Sequence, residues 1–364
     1  MTTPTIDIAI VNYCSADDTL QALERLVPWT HGTIWLVDNS VDTAQAQQLQ
    51  AGIAAMPGVV LLTSPENLGF GRACNLAFAR SDSTYFLLLN PDARIAHETI
   101  AALASALEHD AALAAVSPLM FWNDEKSFVI PHDIVQSPWA SVRAAAALHC
   151  RRLAFWQAGK HLARMRQQYA SPLPFDVDFL TGAVLLVRRD AIAPNSTLFD
   201  PDFFMFYEDS DLSLRLRRQG YRLALVPNAQ AVHGYRHKAY KAELMTASRN
   251  RYFDKNFPVF FAATGQLRWL DRWSQPVAAA RWFEVLQGPL RTASEFAQQT
   301  DNCDVLAFSP LVQMVPAIFR PHNGDSGTWS DAEWALLEPG RYVALLRSPQ
   351  ASTAQRWVAF ERSA

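Results

Sequence analysis

The sequence predicts an α/β protein with a mainly parallel sheet, followed by a smaller β-rich region. Three observations support this fold class: short apolar runs without polar alternation, helix-prone segments between them, and a change of pattern after Pro258. Strands that are covered on both faces lack polar alternation, and strands that alternate with helices form βαβ units with a parallel sheet.

The first part of the chain shows this alternation most clearly. Apolar runs, taken as strands, lie at residues 6–11, 33–37, 59–63 and 85–89. Segments rich in Ala, Leu and Gln, taken as helices, lie at residues 17–26, 44–55, 71–79 and 98–109. Apolar runs at residues 114–116, 184–187 and 223–226 are expected to extend the same sheet.

Composition excludes several classes of protein. The chain has 364 residues and a formal net charge of −3, so it lacks the basic surplus that is typical of nucleic-acid binders. Its four cysteines are far apart, which argues against a disulfide framework and a Cys-rich zinc site. The N-terminus lacks a signal-peptide pattern and no apolar run could span a bilayer. We therefore expect a cytoplasmic protein, with any membrane contact peripheral and at the inner face of the cell membrane.

The pattern also suggests domain boundaries. We expect an α/β domain over residues 1–260, an amphipathic helical linker over 261–300 and a β-rich accessory domain over 301–364. Residues 139–168 form a basic, aromatic, helix-prone insertion in the first domain. Two interpretations of the insertion remain open: a solvated helix packed on the core, or a surface for anionic lipid headgroups or a phosphate-bearing acceptor.

Polar clusters follow four of the predicted strands. They are Asn12-Tyr13, Asp38-Asn39-Ser40, the ENLGFGR run that begins at Glu66, and Asn90-Pro91-Asp92. Each cluster alone could be turn chemistry, but the carboxyl ends of parallel strands converge on one rim, where ligands bind. The glycine-rich dinucleotide fingerprint and the Walker A loop are absent, which disfavours redox and nucleoside-triphosphatase functions.

Acidic side chains at two places in the chain suit catalysis. Asp92 at a strand end is a suitable ligand for Mg²⁺ or Mn²⁺, although it could equally be a helix N-cap. Glu208, Asp209 and Asp211 begin a helix that is predicted to run from about residue 209 to 219. First-turn acids interact favourably with the helix dipole, which accounts for Asp211, and Asp211 can also pair with Arg215. The helix dipole does not explain the aromatic run at residues 203–207, which directly precedes Glu208 and Asp209. Apolar side chains beside a carboxylate raise its basicity and exclude water, which suits a general base.

His233 follows the predicted strand at residues 223–226. A lone histidine is more often a core or surface residue than a ligand. Its place after a strand and a Pro-Asn turn would allow it to complete a metal site with Asp92.

Several motifs in this order resemble the family-two inverting glycosyltransferases with the GT-A fold, and especially the bacterial rhamnosyltransferase-like branch. The resemblance covers about residues 5–257. The motifs are IAIVNY, LVDNS, ENLGFGRACN, LLLNPDA, FLTGAVLLVRR and FFMFYEDSDLSLRLRRQGYRLALVP, followed by His233-Gly234 and the RNRY run at residues 249–252. It implies a nucleotide-diphospho-sugar transferase fold and a single displacement at the anomeric carbon.

The resemblance also implies a role for each matched residue. The nucleoside would be lined by Asn12, Asp38 and Asn39. The floor beneath the base, ribose and diphosphate would be shaped by Asn67, Gly69, Phe70, Arg72 and Asn75. The donor sugar or acceptor would face Gly182 and Ala183, with Asp209 as the catalytic base and Glu208 beside it. The metal ion, Mg²⁺ or Mn²⁺, would be held by Asp92 and His233. Asn90 stands where the family often has an aspartate, and His237 could replace His233 as the ligand.

The implied donor is deoxythymidine-diphosphate (dTDP) rhamnose first, and a UDP-hexose or UDP-galactofuranose second. The acceptor would be a glycan or a lipid-linked glycan in cell-surface polysaccharide synthesis. Two alternatives were weighed: a non-catalytic nucleotide-sugar-binding subunit of a polysaccharide assembly complex, and a nucleotidyltransferase. The full acid and histidine set counts against the first, and the absence of a Gly-rich basic loop after the first strand counts against the second.

Overall fold

The computed structural model describes residues 4–131, 136–234, 241–258, 282–321, 327–348 and 355–363. These residues form two compact units. The first unit comprises the described residues of 1–120, 171–234 and 239–258, and the second comprises those of 121–170, 235–238 and 259–364.

The strands are β1 (Ile6–Asn12), β2 (Ile34–Asp38), β3 (Val59–Thr63), β4 (Tyr85–Leu89), β5 (Ala93–Ile95), β6 (Leu113–Phe121), β7 (Phe175–Val177), β8 (Val184–Arg188), β9 (Arg222–His233), β10 (Glu284–Leu290), β11 (Asp304–Ser309), β12 (Ile318–Phe319), β13 (Gly340–Arg347) and β14 (Gln355–Arg362). The helices are α1 (Ala16–Leu26), α2 (Thr43–Ile53), α3 (Gly69–Phe78), α4 (His97–His109), α5 (Pro138–Ala147), α6 (Arg151–Ala170), α7 (Glu208–Arg218), α8 (Lys241–Asn256), α9 (Ala293–Gln299) and α10 (Asp331–Leu336).

The first unit contains a nine-stranded sheet in the order β3-β2-β1-β4-β8-β6-β9-β5, with β7 paired to β9. Strands β1 to β4 pair in parallel, and β8 is antiparallel to both β4 and β6. All five residues of β4 are buried, as expected for a strand that is covered on both faces. The predicted α/β class with a mainly parallel sheet is confirmed, and the ends of β1 to β4 lie at one edge.

The second unit contains a five-stranded sheet in the order β10-β14-β13-β11-β12. Its core is largely aromatic and includes Trp122, Phe296, Phe308, Trp329 and Trp334. Helix α6 packs on this sheet, since the Phe155 ring stacks on Trp357 of β14 at 4.8 Å between centroids. The predicted β-rich region is therefore present within the described residues.

The observed boundaries differ from the predicted domains. Residues 139–168 pack with the C-terminal sheet, not as an insertion in the first domain, and β10 and α9 lie where a linker was expected. The physical reason is the stripe of Ala154, Ala158, Leu162 and Met165, which α6 buries. The linker residues 261–281 lie outside the described part of the chain.

No helix among the described residues is long and apolar enough to cross a membrane.

Candidate active site

Asn12, at the end of β1, holds two loops of the rim together. Its Nδ2 donates to Asp38 Oδ1 and to Ser40 Oγ, both at 2.9 Å, and its Oδ1 accepts from Thr19 Oγ1 at 3.0 Å. The Asn12 side chain is fully buried, and Asp38 is 4% exposed. Both ends of the Asn12 amide thus position the loops of the rim, and the predicted role of these side chains beside the nucleoside stays a prediction.

Asn39 connects the end of β2 to the start of α3. Its Nδ2 donates to Asn67 Oδ1 at 2.9 Å, and its Oδ1 accepts from the Leu68 N–H at 2.7 Å. Asn67 Oδ1 also accepts from the Gly69 N–H at 2.9 Å. Asn39 is only 3% exposed, and its hydrogen bonds also hold the loops of the rim in place.

The start of α3 lies against the chain segment that leads into α7. Gly69 has φ +75°, and a Cβ at this position would lie 1.9 Å from the Phe204 carbonyl oxygen. The next N–H, that of Phe70, donates to the same oxygen at 2.9 Å. Only glycine allows this approach, because it has no Cβ and accepts a positive φ without strain.

Arg72 and Asn75 of α3 hold the same segment further upstream. Arg72 Nε donates to the Pro201 carbonyl at 2.7 Å. Asn75 Nδ2 donates to the Phe199 carbonyl, and its Oδ1 accepts from the Phe199 N–H, both at 2.8 Å. These two residues, predicted to form the floor of the donor site, thus bind the main chain that carries the aromatic run.

The aromatic run is strained where it enters α7. Phe206 and Tyr207 have φ values of +70° and +66°, a region that large side chains rarely adopt. Ser248 Oγ of α8 donates to the Met205 carbonyl at 2.6 Å and so helps to hold this conformation. Such strain persists only where the surroundings enforce it, and it is concentrated at functional sites.

Glu208 and Asp209, the first two residues of α7, lie in unlike surroundings. Asp209 Oδ2 accepts from the Gly182 N–H at 3.3 Å, and Oδ1 accepts from the Ser210 N–H at 2.7 Å. Glu208 is 5% exposed, and its buried Oε2 has no hydrogen-bond partner among the described residues.

Burial raises the pKa of Asp209 to about 6, against the lowering effect of the Gly182 and Ser210 N–H groups. Burial, with a contribution from the charge of Asp209, raises the pKa of Glu208 well above its usual range. Burial thus raises the pKa of both carboxyl groups, and the N–H groups that contact Asp209 offset part of its rise. That residues 203–207 supply the apolar wall stays a prediction.

Asp211, on the same helix turn, is engaged structurally. Its carboxylate accepts from Lys255 Nζ at 2.8 Å and from Asn256 Nδ2 at 2.9 Å, both on α8. Arg215 donates to main-chain carbonyls, including that of Thr197 at 3.1 Å, instead of forming the predicted pair with Asp211. Because Asp211 is 1% exposed, it anchors α8 to α7.

Asp92, Asn90 and His233 form a second polar group on the rim. His233 ends β9, which pairs with β5 so that His233 lies opposite Ala93. His233 Nε2 is 3.3 Å from Asp92 Oδ1 and 3.5 Å from Asn90 Nδ2. The sequence prediction that Asp92 and His233 lie together agrees with this geometry. His237 lies outside the described residues.

These side chains fit part of a divalent-cation site. Within the described ranges, no group of three His, Cys, Asp or Glu side chains could hold a metal ion. A carboxylate oxygen and an imidazole nitrogen are suitable ligands for Mn²⁺, and such ions commonly combine one or two protein carboxylates with substrate phosphates. The donor set therefore fits an ion that is shared with a diphosphate.

The dipeptide Gly182-Ala183 lies between the two groups. The Gly182 N–H contacts Asp209, and the Ala183 carbonyl accepts from the Asn90 N–H at 2.8 Å. A Cβ on Gly182 would lie 3.2 Å from the Phe70 ring. Asp209 and Asn90, the latter next to the metal-suited pair, thus both bond to one short backbone segment.

Sequence reasoning missed the contribution of α8. Ser248, Lys255 and Asn256 fix α7 and the strained segment before it. The available signal was the RNRY run at residues 249–252, which directly follows Ser248.

The fold and the rim define a nucleotide-sugar transferase of the GT-A type. The family model for glycosyl transferase family 2 matches residues 7–192, and the chain belongs to that family. It is a glycosyltransferase, and the resemblance to the rhamnosyltransferase-like branch is confirmed by its relatives.

Two relatives are similar over most of their length. N-acetylglucosaminyl-diphospho-decaprenol L-rhamnosyltransferase of Mycobacterium tuberculosis is 30% identical over 256 residues, which cover 67% of this chain and 77% of the relative. Rhamnosyltransferase WbbL of Escherichia coli K12 is 30% identical over 282 residues, which cover 70% of this chain and 98% of the relative. Among solved structures, a mannosyltransferase from Pyrobaculum calidifontis with GDP-Man and Mn²⁺ aligns with a TM-score of 0.47 and 16% identity, over 74% of this chain and 65% of that chain.

Proposed function

We propose that this glycosyltransferase moves rhamnose from a nucleoside-diphosphate donor to a lipid-linked glycan, with inversion at the anomeric carbon. Support for the sugar and the acceptor comes from the names of both relatives, one of which acts on an N-acetylglucosaminyl-diphospho-prenol. The dTDP-linked donor is our first choice, and a UDP-hexose or UDP-galactofuranose is the second.

The observation that carries the mechanism is the Gly182-Ala183 segment, which bonds to Asp209 through the Gly182 N–H and to Asn90, a neighbour of the Asp92–His233 pair, through the Ala183 carbonyl. Asp209 takes the proton of the acceptor hydroxyl. The acceptor oxygen forms the new bond to the anomeric carbon, and the bond to the diphosphate oxygen breaks. A base with a raised pKa suits this step, because proton transfer is most effective when the pKa lies near the working pH.

Asp92 and His233 would hold Mg²⁺ or Mn²⁺, which when bound neutralises charge on the leaving diphosphate. Asn90 would position His233, and the buried Asn12, Asp38, Asn39 and Asn67 would keep the loops around the nucleotide in place. Glu208, buried beside Asp209, would orient the acceptor.

Asp209→Asn tests the base. Turnover of dTDP-rhamnose should fall by about 10²–10⁴-fold, since the variant cannot accept a proton. The Kd for dTDP, measured by calorimetry, should be unchanged. Glu108→Gln on the exposed surface of α4 is the matched control for loss of one carboxylate. Turnover comparable to the native enzyme would contradict the assignment of Asp209.

A thermal-shift screen of nucleoside diphosphates, each with and without Mn²⁺, tests the donor and the metal pair. A ligand at about a hundred times its Kd stabilises the folded state by roughly 2.7 kcal/mol. We expect the largest shift with dTDP and Mn²⁺, and loss of its Mn²⁺-dependent part in Asp92→Asn and His233→Asn. A larger thermal shift with UDP would favour the second donor class. A thermal shift that is the same with and without Mn²⁺ would argue against the metal site.

A further inference from the structure

The helical hairpin of α5 and α6 has an unusual charge composition. Residues 136–175 contain no Asp or Glu. The same stretch contains six cations, namely Arg143, Arg151, Arg152, Lys160, Arg164 and Arg166. A soluble surface helix ordinarily mixes both signs of charge, so this composition points to an anionic partner.

One face of α6 is anchored in the second unit. Ala154, Ala158, Leu162 and Met165 are buried, and Phe155 stacks on Trp357. His161 Nε2 also accepts from the Ala317 N–H at 3.3 Å. The orientation of the helix is therefore fixed, and so is the face that it turns to solvent.

The solvent face of α6 carries Arg152, Trp156 and Lys160, each four residues from the next. Side chains at this spacing form one line along a helix. Trp156 is 56% exposed, and both flanking cations are exposed. This line of three residues is the basic tryptophan face.

Helix α5 also carries an exposed tryptophan and an exposed cation. Trp139 is 64% exposed, and Arg143 is also exposed. Gln157 Nε2, next to Trp156 in the chain, donates to the Arg143 carbonyl at 3.0 Å, so α5 is a direct neighbour of this part of α6. Two exposed indoles on adjacent helices are costly to keep in water.

We propose that the basic tryptophan face and Trp139 bind the surface of an anionic lipid bilayer. Indole rings favour the headgroup level of a membrane, where the ring is partly buried and the N–H keeps a hydrogen bond. Arg152 and Lys160 flank the ring and attract phosphate groups, with no nearby acid on either helix to repel them. Binding of a bilayer by this surface does not depend on the proposed sugar transfer.

Co-sedimentation of the full chain with vesicles tests the proposal. One set of vesicles is phosphatidylcholine, and the other contains phosphatidylglycerol as well. Binding should require phosphatidylglycerol and low salt. Each exposed cation near the surface contributes about a fivefold gain in partitioning, so Arg152→Gln with Lys160→Gln should weaken binding by about 25-fold. Trp156→Ala should weaken binding with no change of charge.

Arg25→Gln with Arg80→Gln is the matched control, because it removes two exposed cations from the first unit. This pair should leave vesicle binding within about twofold of the native chain. Thermal unfolding of each variant checks the fold. Equal weakening by the control pair, unchanged binding in Trp156→Ala, or no binding to phosphatidylglycerol at low salt would each overturn the proposal. A dimer that dissociates in Trp156→Ala, without vesicle binding, would instead assign the face to a second copy of the chain.

Discussion

Two influences of opposite sign act on the Asp209 carboxylate. Burial disfavours its charge, whereas the Gly182 and Ser210 N–H groups favour it, and the pKa is raised to about 6. The neighbouring Glu208, which is buried with no hydrogen bond to Oε2 among the described residues, has the more strongly raised pKa. Two adjacent carboxylic acids thus differ in their surroundings, and Asp209, which accepts hydrogen bonds from two N–H groups, is our proposed proton acceptor.

This difference predicts the pH dependence of turnover. Asp209 must be unprotonated to act as a base, so kcat/KM should rise as pH increases through about 6 and level off above it. Below that midpoint the rate should fall about tenfold per pH unit. Initial rates between about pH 5 and pH 8 measure the midpoint.

Glu208→Gln serves as the comparison for the pH profile. If Glu208 is neutral when Asp209 ionises, the variant should keep the midpoint near its original value, whatever its effect on the rate. A midpoint that falls by one pH unit or more would mean that Glu208 is charged, and a flat profile would remove Asp209 from the proton-transfer step.

Helix α7 combines two carboxylates with opposite effects on stability. Burial raises the pKa of Asp209 to about 6 in the folded state, above its ordinary value of 3.8, so the folded state is penalised as pH rises through this range. Asp211 is held by Lys255 and Asn256, so its charge supports the contact between α7 and α8. The first turn of the helix therefore trades stability for a basic carboxylate.

The same substitution at these two positions should have opposite results. Near pH 7, Asp209→Asn should raise the free energy of unfolding by about 1–2 kcal/mol, because the penalty for a buried charge is relieved. This gain should shrink as pH falls below about 6 and vanish below about pH 3, where the acid is protonated in both states. Asp211→Asn should lower the free energy by about 1–3 kcal/mol through loss of its buried contacts. Urea unfolding measures both, and changes of the same sign at neutral pH would contradict this account of α7.

The second unit is assembled from two distant parts of the chain. Helices α5 and α6 come from residues 121–170, whereas the sheet beside them comes from residues beyond 258. The buried stripe of α6 and the ring of Phe155 depend on that sheet for their cover. Neither part can bury its apolar surface alone.

Deletion of residues 259–364 should therefore expose α6 and cause aggregation. We expect a lower soluble yield and increased binding of a hydrophobic dye, because exposed apolar surface drives association. A second variant, in which a Gly/Ser linker also replaces residues 122–170, removes both parts and should recover solubility. A soluble, monomeric single-deletion protein would show that α5 and α6 do not need the C-terminal sheet.

Sequence patterns alone predicted the first sheet closely. The strand at 85–89 matches β4, because a strand covered on both faces is a continuous apolar run that ends at a polar turn. The strand at 59–63 matches β3, although this strand lies at the edge of the sheet and is only partly buried. The rim residues could also be predicted, since the carboxyl ends of parallel strands converge on one edge. Asp92 and His233 lie 141 positions apart in the chain, but each ends or follows a strand of this sheet, and they lie 3.3 Å apart.

The tertiary structure determined which side chains are buried and what they contact, which the sequence pattern could not predict. Asn12 and Asn39 were predicted to line the nucleoside site, and the structure shows in addition that both are buried and hydrogen-bonded to the loops of the rim, because a sequence does not show which side chains are covered. Asp211 pairs with α8 rather than with Arg215, because helix packing overrides spacing along one helix. Residues 139–168 joined the C-terminal sheet for the same reason: local periodicity shows that a helix has an apolar face, whereas only the packed chain shows what that face is buried against.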